Sequence, residues 1–127
     1  MDGCTNYTVL SEADRAQENV EPPHDRNDSS LVPGWYRFRG AAGDRMLDKC
    51  VLGYRCGITY PGWLNGAHPT VAEGVVTRKV CYSGDSDCCG GSNIIKVKNC
   101  SSYYVYELQR TRFLFRYCGN AGAGKLH

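Results

Sequence analysis

The chain has 127 residues, 22% of them charged, and a formal net charge of +2. That length suits one domain with a modest core, and a balance so near neutral argues against nucleic acid or an anionic lipid surface as the partner. No apolar run approaches the length of about 18 residues that a membrane span needs, which argues against direct insertion.

Met1-Asp2-Gly3 is not a secretory signal, so a leader is expected to have been removed. Residues 1–33 are polar and read as an N-terminal arm tethered by Cys4. Within it "SEADRAQEN" predicts a short helix capped by Ser11, with Asp14 in the third helical position where a capping box places an acid. "EPPHDRNDSS" follows as turn or loop, because its prolines and clustered Asp, Asn and Ser favour irregular backbone.

From residue 34 the pattern changes to short strands. "GWYRFRG" alternates Trp35, Arg37 and Arg39 with Tyr36 and Phe38, and "NIIKVKNC" puts Ile95 and Val97 on one face and Lys96 and Lys98 on the other. "GVVTRKVCY", "YYVYELQR" and "RFLFRYC" repeat the style. No long helical period appears, and the short connections predict antiparallel pairing. The fold class is therefore small, disulfide-rich β, or β-dominated α+β. The β-rich domain spans 34–118, and "GNAGAGKLH" at 119–127 reads as a flexible tail.

Cysteine usage fixes the compartment. The eight cysteines are Cys4, Cys50, Cys56, Cys81, Cys88, Cys89, Cys100 and Cys118, an even number with no Cys-x-x-Cys among them. Three histidines (His24, His68, His127) stand at no ligand spacing from a cysteine pair. Four disulfides in a secreted protein is the reading, with no metal and no cofactor. Adjacent Cys88 and Cys89 can rarely bond to each other, since a trans peptide holds Cα atoms about 3.8 Å apart and a disulfide wants about 4.4 Å or more. On a strand-like backbone their side chains point to opposite faces and can reach different neighbours.

Taken in order, "GWYRF", "RMLDKCV", "WLNGAHP", "EGVVTRKVC", "CC", "VKNC", "YYVYEL" and "YCG" carry a likeness. The chain resembles the eight-cysteine domain family of uromodulin, the major zymogen-granule membrane glycoprotein of pancreas and the liver-specific zona-pellucida protein. The resemblance runs from about Cys4 to Cys118, and "CTNYTVL" is similar to the segment before the domain in the first two. It implies the pairing Cys4–Cys100, Cys50–Cys88, Cys56–Cys118 and Cys81–Cys89. It also implies a secreted, non-enzymatic role, including presentation of a glycan to bacterial adhesins. In uromodulin that glycan sits on the asparagine corresponding to Asn65, where this chain reads "NGA" and has no sequon.

Candidate chemistry is sparse. "GNAGAGK" matches phosphate-loop spacing from Gly119 to Lys125, but Leu126 stands where Ser or Thr would hold magnesium. His68 in "NGAHP" has no nucleophile or orienting acid announced by the sequence, and reads as part of a turn with Gly66 at a left-handed position. Asp85 and Asp87 in "GDSDCCGG" are weak calcium candidates, because Cys89 occupies the next ligand position. Arg110, Arg112 and Arg116 read as a solvated strand face.

Sugar chemistry is the strongest lead. Asn6 ("NYT"), Asn27 ("NDS") and Asn99 ("NCS") are N-glycosylation acceptors. For binding sugar, Tyr60, Trp63, Asn65 and His68, with Trp35 and Arg39, offer aromatic plates beside polar groups; core packing is the alternative for both tryptophans. The expected function is an extracellular recognition or adhesion module, a lectin-like binder or a glycan bearer. Its partners would be glycans or glycoproteins, with bacterial or cell-surface ligands and homo-oligomers allowed. A structural module of a matrix or filament protein is the alternative.

Overall fold

The computed structural model describes residues 3–84 and 86–120. Among the described residues nine strands run in chain order: β1 Thr8–Leu10, β2 Gly34–Phe38, β3 Arg45–Met46, β4 Tyr60–Asn65, β5 Val75–Tyr82, β6 Gly91–Asn99, β7 Tyr104–Leu108, β8 Phe115–Tyr117 and β9 Gly119–Asn120. Seven of them form one sheet in the order β1-β2-β7-β6-β5-β4-β8, and β3 pairs with β9 apart from it. Three single 3-10 turns, Ala13–Arg15, Gly40–Ala42 and Val71–Glu73, are the helical elements among the described residues.

The alternation read in the strands sets the two faces of the sheet. Register pairs place Tyr36, Tyr106, Val97 and Val76 in one row across β2, β7, β6 and β5. That row belongs to the main apolar core, with Phe38, Leu64, Val80, Ile95 and Tyr117 packed around it. The next row, Trp35, Glu107, Lys96 and Thr77, lies on the opposite face. A second, smaller apolar cluster gathers Trp63, Leu47 and Val51 around Cys56, Cys81 and Cys118.

All four disulfides form: Cys4–Cys100, Cys50–Cys88, Cys56–Cys118 and Cys81–Cys89. The neighbouring Cys88 and Cys89 therefore fasten one turn to two places, the segment before β4 through Cys50 and strand β5 through Cys81. Such a cross-linked framework belongs to an oxidising, extracellular setting.

Three details differ from the sequence reading. Strand pairing is antiparallel along β2-β7-β6-β5-β4, but β1 joins β2 and β8 joins β4 in parallel. Both parallel partners are far apart in sequence, so their connections have the length that a crossover requires. The expected helix at "SEADRAQEN" is a single 3-10 turn with no side-chain cap at its N-terminus. Tertiary contacts take its side chains instead: Arg15 is 2% exposed and binds Asp28 through both nitrogens, Nη1 to Oδ2 at 2.8 Å and Nη2 to Oδ1 at 3.1 Å. Arg116, read as solvated, is 4% exposed and donates to Asp14 Oδ1 at 3.1 Å and to the Cys56 carbonyl at 3.0 Å. Arg110 and Arg112 are exposed.

Asp28 closes this dock. Its carboxylate also accepts the Tyr117 N–H at 2.9 Å, and its backbone bonds to Phe115 and Thr111. The arm thus lies against β8 through buried, charge-assisted hydrogen bonds in addition to the Cys4 tether. Gly119 and Asn120, expected in the tail, are paired to β3; residues 121–127, which hold most of the phosphate-loop match, lie outside the described residues.

Candidate functional site

Three separate places receive the residues that sequence reading singled out. At the first, the arm crosses the edge of the sheet. Tyr7 is half-buried there, its hydroxyl accepting from Arg37 Nη1 at 2.9 Å. The Arg37 guanidinium also sits over the Tyr103 ring, 3.9 Å from its centre, and the Tyr103 hydroxyl donates to the Cys4 carbonyl at 2.6 Å. This clamp turns Tyr7 inward and leaves its neighbours Asn6 and Thr8 exposed. Both line a groove of about 510 Å³ whose other walls include Trp35, Pro33 and Val32. Trp35 is half-buried, and Gly3 lies so close over its ring that a β-carbon there would come within 2.5 Å.

The second place holds Trp63. Its ring is 8% exposed within the cystine-rich cluster, and its Nε1–H donates to the Cys88 carbonyl at 2.9 Å. The cluster gives the indole both an apolar wall and a hydrogen-bond partner, which is what a buried tryptophan requires. Asn65, two residues on, is exposed, with its amide 3.4 Å from Cys81 Sγ. Tyr60 is half-buried and meets Phe115 edge-on at 5.7 Å between ring centres.

His68 occupies the third place. Its side chain is 4% exposed, packed on Tyr104 with ring centres 4.5 Å apart. Nε2 lies 2.7 Å from the Tyr106 hydroxyl, which itself accepts the Met46 N–H at 2.9 Å. The hydroxyl proton then has one place to go, so His68 Nε2 is the acceptor and Nδ1 carries the ring proton. Nδ1 faces Asp48 Oδ2 at 3.3 Å without hydrogen-bond alignment. Burial holds the imidazole below its ordinary value; Asp48 pulls the other way, and Arg45 reinforces the depression. Tyr106 itself is pushed above the ordinary phenol range by complete burial. An enclosed, neutral histidine whose free nitrogen is occupied by a buried phenol has no reach to a substrate. The turn before it is made by Gly66, whose φ is +148°.

The sugar-binding set therefore does not converge. Trp35 and Arg39 belong to β2 and the residue after it, whereas Tyr60, Trp63 and Asn65 lie on β4, with β7, β6 and β5 between them.

The three sequons differ in their surroundings. Asn6 is exposed. Asn27 is half-buried and its Oδ1 accepts from the Ser29 N–H at 3.0 Å and from the Ser29 hydroxyl. Asn99 uses Nδ2, the atom a glycan would join, to donate to the Pro69 carbonyl at 3.0 Å. Of the calcium candidates, Asp87 accepts the Cys89 N–H at 2.9 Å, and Asp85 lies outside the described residues. No group of three or more His, Cys, Asp or Glu side chains converges among the described residues.

What sequence reading missed is the clamp of Tyr7, Arg37 and Tyr103 and the buried Arg15–Asp28 pair. Period-two alternation held a partial signal for Arg37, which shares its face with Trp35. Nothing local announces Tyr103 or Asp28.

Comparison with known proteins gives this arrangement its kin. A family model for the uromodulin-like eight-cysteine domain matches residues 36–119. The pancreatic secretory granule membrane major glycoprotein GP2 of Canis lupus familiaris is 43% identical over 122 residues, covering 94% of this chain and 24% of the relative. The Homo sapiens protein of the same name is 40% identical over 122 residues, covering 93% of the chain and 22% of the relative. Uromodulin of Mus musculus is 40% identical over 110 residues, 85% of the chain and 16% of the relative. The chain thus spans about a quarter or less of the length of these relatives. With the family model matched over most of the chain, this protein belongs to the uromodulin-like family of eight-cysteine domains.

Proposed function

We propose that this domain is an extracellular, non-enzymatic recognition and adhesion module that works by carrying sugar: an N-linked glycan on Asn6, offered to sugar-binding proteins on bacteria or other cells. The observation that carries the reading is the clamp on Tyr7. It locks the middle residue of the sequon inward and leaves Asn6 and its hydroxyl partner Thr8 exposed on a rigid edge. A glycan rooted there would project from an ordered base, so less entropy is lost when a lectin captures it. The relatives named glycoproteins lend the reading support. The lectin-like alternative ranks second, because the Trp63 and His68 rings, the densest part of its residue set, are enclosed.

An assembly role is the competing reading, favoured by β1, which has one neighbour in the sheet and leaves a backbone edge open among the described residues. The test is secretory expression followed by intact-mass measurement with and without an N-glycan-removing enzyme, then binding to a mannose-specific bacterial adhesin. The expected result is a glycan lost in Asn6→Gln, with adhesin binding lost in the same variant. A bare Asn6 in a secreted, correctly bridged protein would defeat the proposal.

A further inference from the structure

The groove beside Asn6 has an apolar side that the sheet leaves open to water. Thr8 pairs with Tyr36 in the parallel register of β1 and β2, and run back two residues that register leads from Thr8 to Asn6 and from Tyr36 to Gly34. All four line the groove, with Val32, Pro33 and Trp35 among its other walls. Gly34 makes an open floor, since a β-carbon built there would meet no atom within 4 Å. Val32 at the rim is 70% exposed, and Pro33 beside it is exposed as well.

This rim is held in place. The Tyr36 hydroxyl donates to the Val32 carbonyl, the proline ring fixes its own φ, and Gly34 is paired to Leu108 of β7. On the facing side the clamp occupies the Tyr7 hydroxyl and leaves Asn6 and Thr8 exposed. A rigid apolar wall next to a glycan attachment point has an occupant within reach: the sugar joined to that asparagine.

We propose, resting on the glycan-bearing reading above, that the first N-acetylglucosamine of an Asn6-linked glycan lies in this groove. Its C–H face and acetyl methyl meet Val32, Pro33 and Trp35, and its hydroxyls stay toward solvent. Covalent linkage selects this occupant. The first sugar is delivered at the groove's own wall, so the contact is intramolecular and needs no affinity for free sugar. The chemistry agrees, because a pyranose ring offers an apolar face to aliphatic and aromatic walls while its polar edge remains wet. At about 510 Å³ the groove takes one small molecule, and the outer branches stay outside. Holding the first ring also gives those branches a fixed direction, which lowers the entropy lost when a lectin captures them.

The secreted, disulfide-bonded protein is to be made in cells that leave N-glycans in the high-mannose form, with occupancy of Asn6 read from glycopeptide masses. Melting temperatures are then compared between the parent and Asn6→Gln, before and after an endoglycosidase trims every glycan to its first sugar. The parent is expected to melt about 3 °C higher and to keep that margin after trimming, because the sugar in contact remains. In a Val32→Ser background the margin should vanish, whereas Val32→Ile should keep it. Val32 is exposed, so Val32→Ser/Asn6→Gln should melt with Asn6→Gln, which separates loss of the sugar contact from loss of fold. A bare Asn6 would overturn the groove contact together with the glycan-bearing reading. An occupied Asn6 whose margin is absent, disappears on trimming or survives Val32→Ser would overturn the groove contact alone and leave that reading standing.

Discussion

The sheet and the arm that crosses it solve the same problem with opposite materials. The sheet buries rings and aliphatic chains in rows that the register makes continuous, and the charge it buries, Arg116 of β8, faces the arm at Asp14. The arm, residues 3–33, has few apolar side chains to bury, Leu10 and Ala16 among them, and docks through Arg15 and Asp28. Hydrophobic burial tolerates imperfect geometry, since it scales with area. A buried ion pair stabilises only when every lone pair and proton finds a partner. The arm should therefore be the more brittle of the two under single substitutions.

The largest expected effect sharpens that contrast through the cystines. Cys4 and Cys100 are 96 residues apart in sequence and tie the arm to the sheet, whereas Cys81 and Cys89 are 8 apart within one hairpin. If chain entropy governs, the Cys4→Ser/Cys100→Ser variant loses about 4–5 kcal/mol and Cys81→Ser/Cys89→Ser about 2–3 kcal/mol. Denaturant midpoints of the two variants check this. Equal losses would mean that the short bridge acts through local packing in the Trp63 cluster.

Next comes the dock. Asp28→Ala leaves the Arg15 guanidinium buried with Glu12 as its remaining acidic contact, at 3.4 Å. The expected cost is about 3–5 kcal/mol, read as a lower denaturation midpoint with increased proteolysis confined to residues 11–33. The double change Arg15→Met/Asp28→Leu should recover much of it, because no charge is then stranded. A double variant no better than the single one would show that Asp28 matters for its bonds to the Tyr117, Phe115 and Thr111 backbone instead.

How much of this could be read from the chain follows the same division. Strand faces were legible because a period of two is a local property: Tyr36 and Phe38 point in, and Lys96 points out, as the letters imply. Cysteine count and family resemblance supplied the compartment and the pairing. The arm was not legible. Arg15 and Asp28 look like ordinary surface residues of a polar segment, and their burial depends on Tyr117, which is 102 residues from Arg15. Long-range polar contacts leave no periodic trace, and "SEADRAQEN" shows the consequence: its helical propensity is overruled when Asp14 and Arg15 are drawn to separate distant partners. The sugar-binding set failed to assemble for a related reason. Proximity within "YPGWLNGAHP" says nothing about which rings the cystines and Tyr106 will enclose.

The smallest effect asks whether the sheet has a charge-sensitive point of its own, and His68 is that point. It faces Tyr104 and Tyr106 from β7, Asp48 and Arg45 from the segment around β3, and Arg78 from β5. Its folded-state pKa lies below the ordinary 6.5 because burial disfavours the imidazolium, with Asp48 opposing and Arg45 assisting. Between the folded value and 6.5 the unfolded chain therefore binds more protons than the native one. Stability contributed by the neutral ring is complete above pH 6.5 and is lost as pH falls toward the folded value. Protonation would also put a hydrogen on Nε2, where the Tyr106 hydroxyl already points its own. Urea midpoints taken from pH 7 down to pH 5 should fall in the parent protein and fall less in His68→Gln, whose side-chain oxygen can still accept from Tyr106. Identical slopes in the two proteins would remove His68 as the cause. The acid sensitivity of the sheet would then have to come from carboxylates, the groups on which the arm depends.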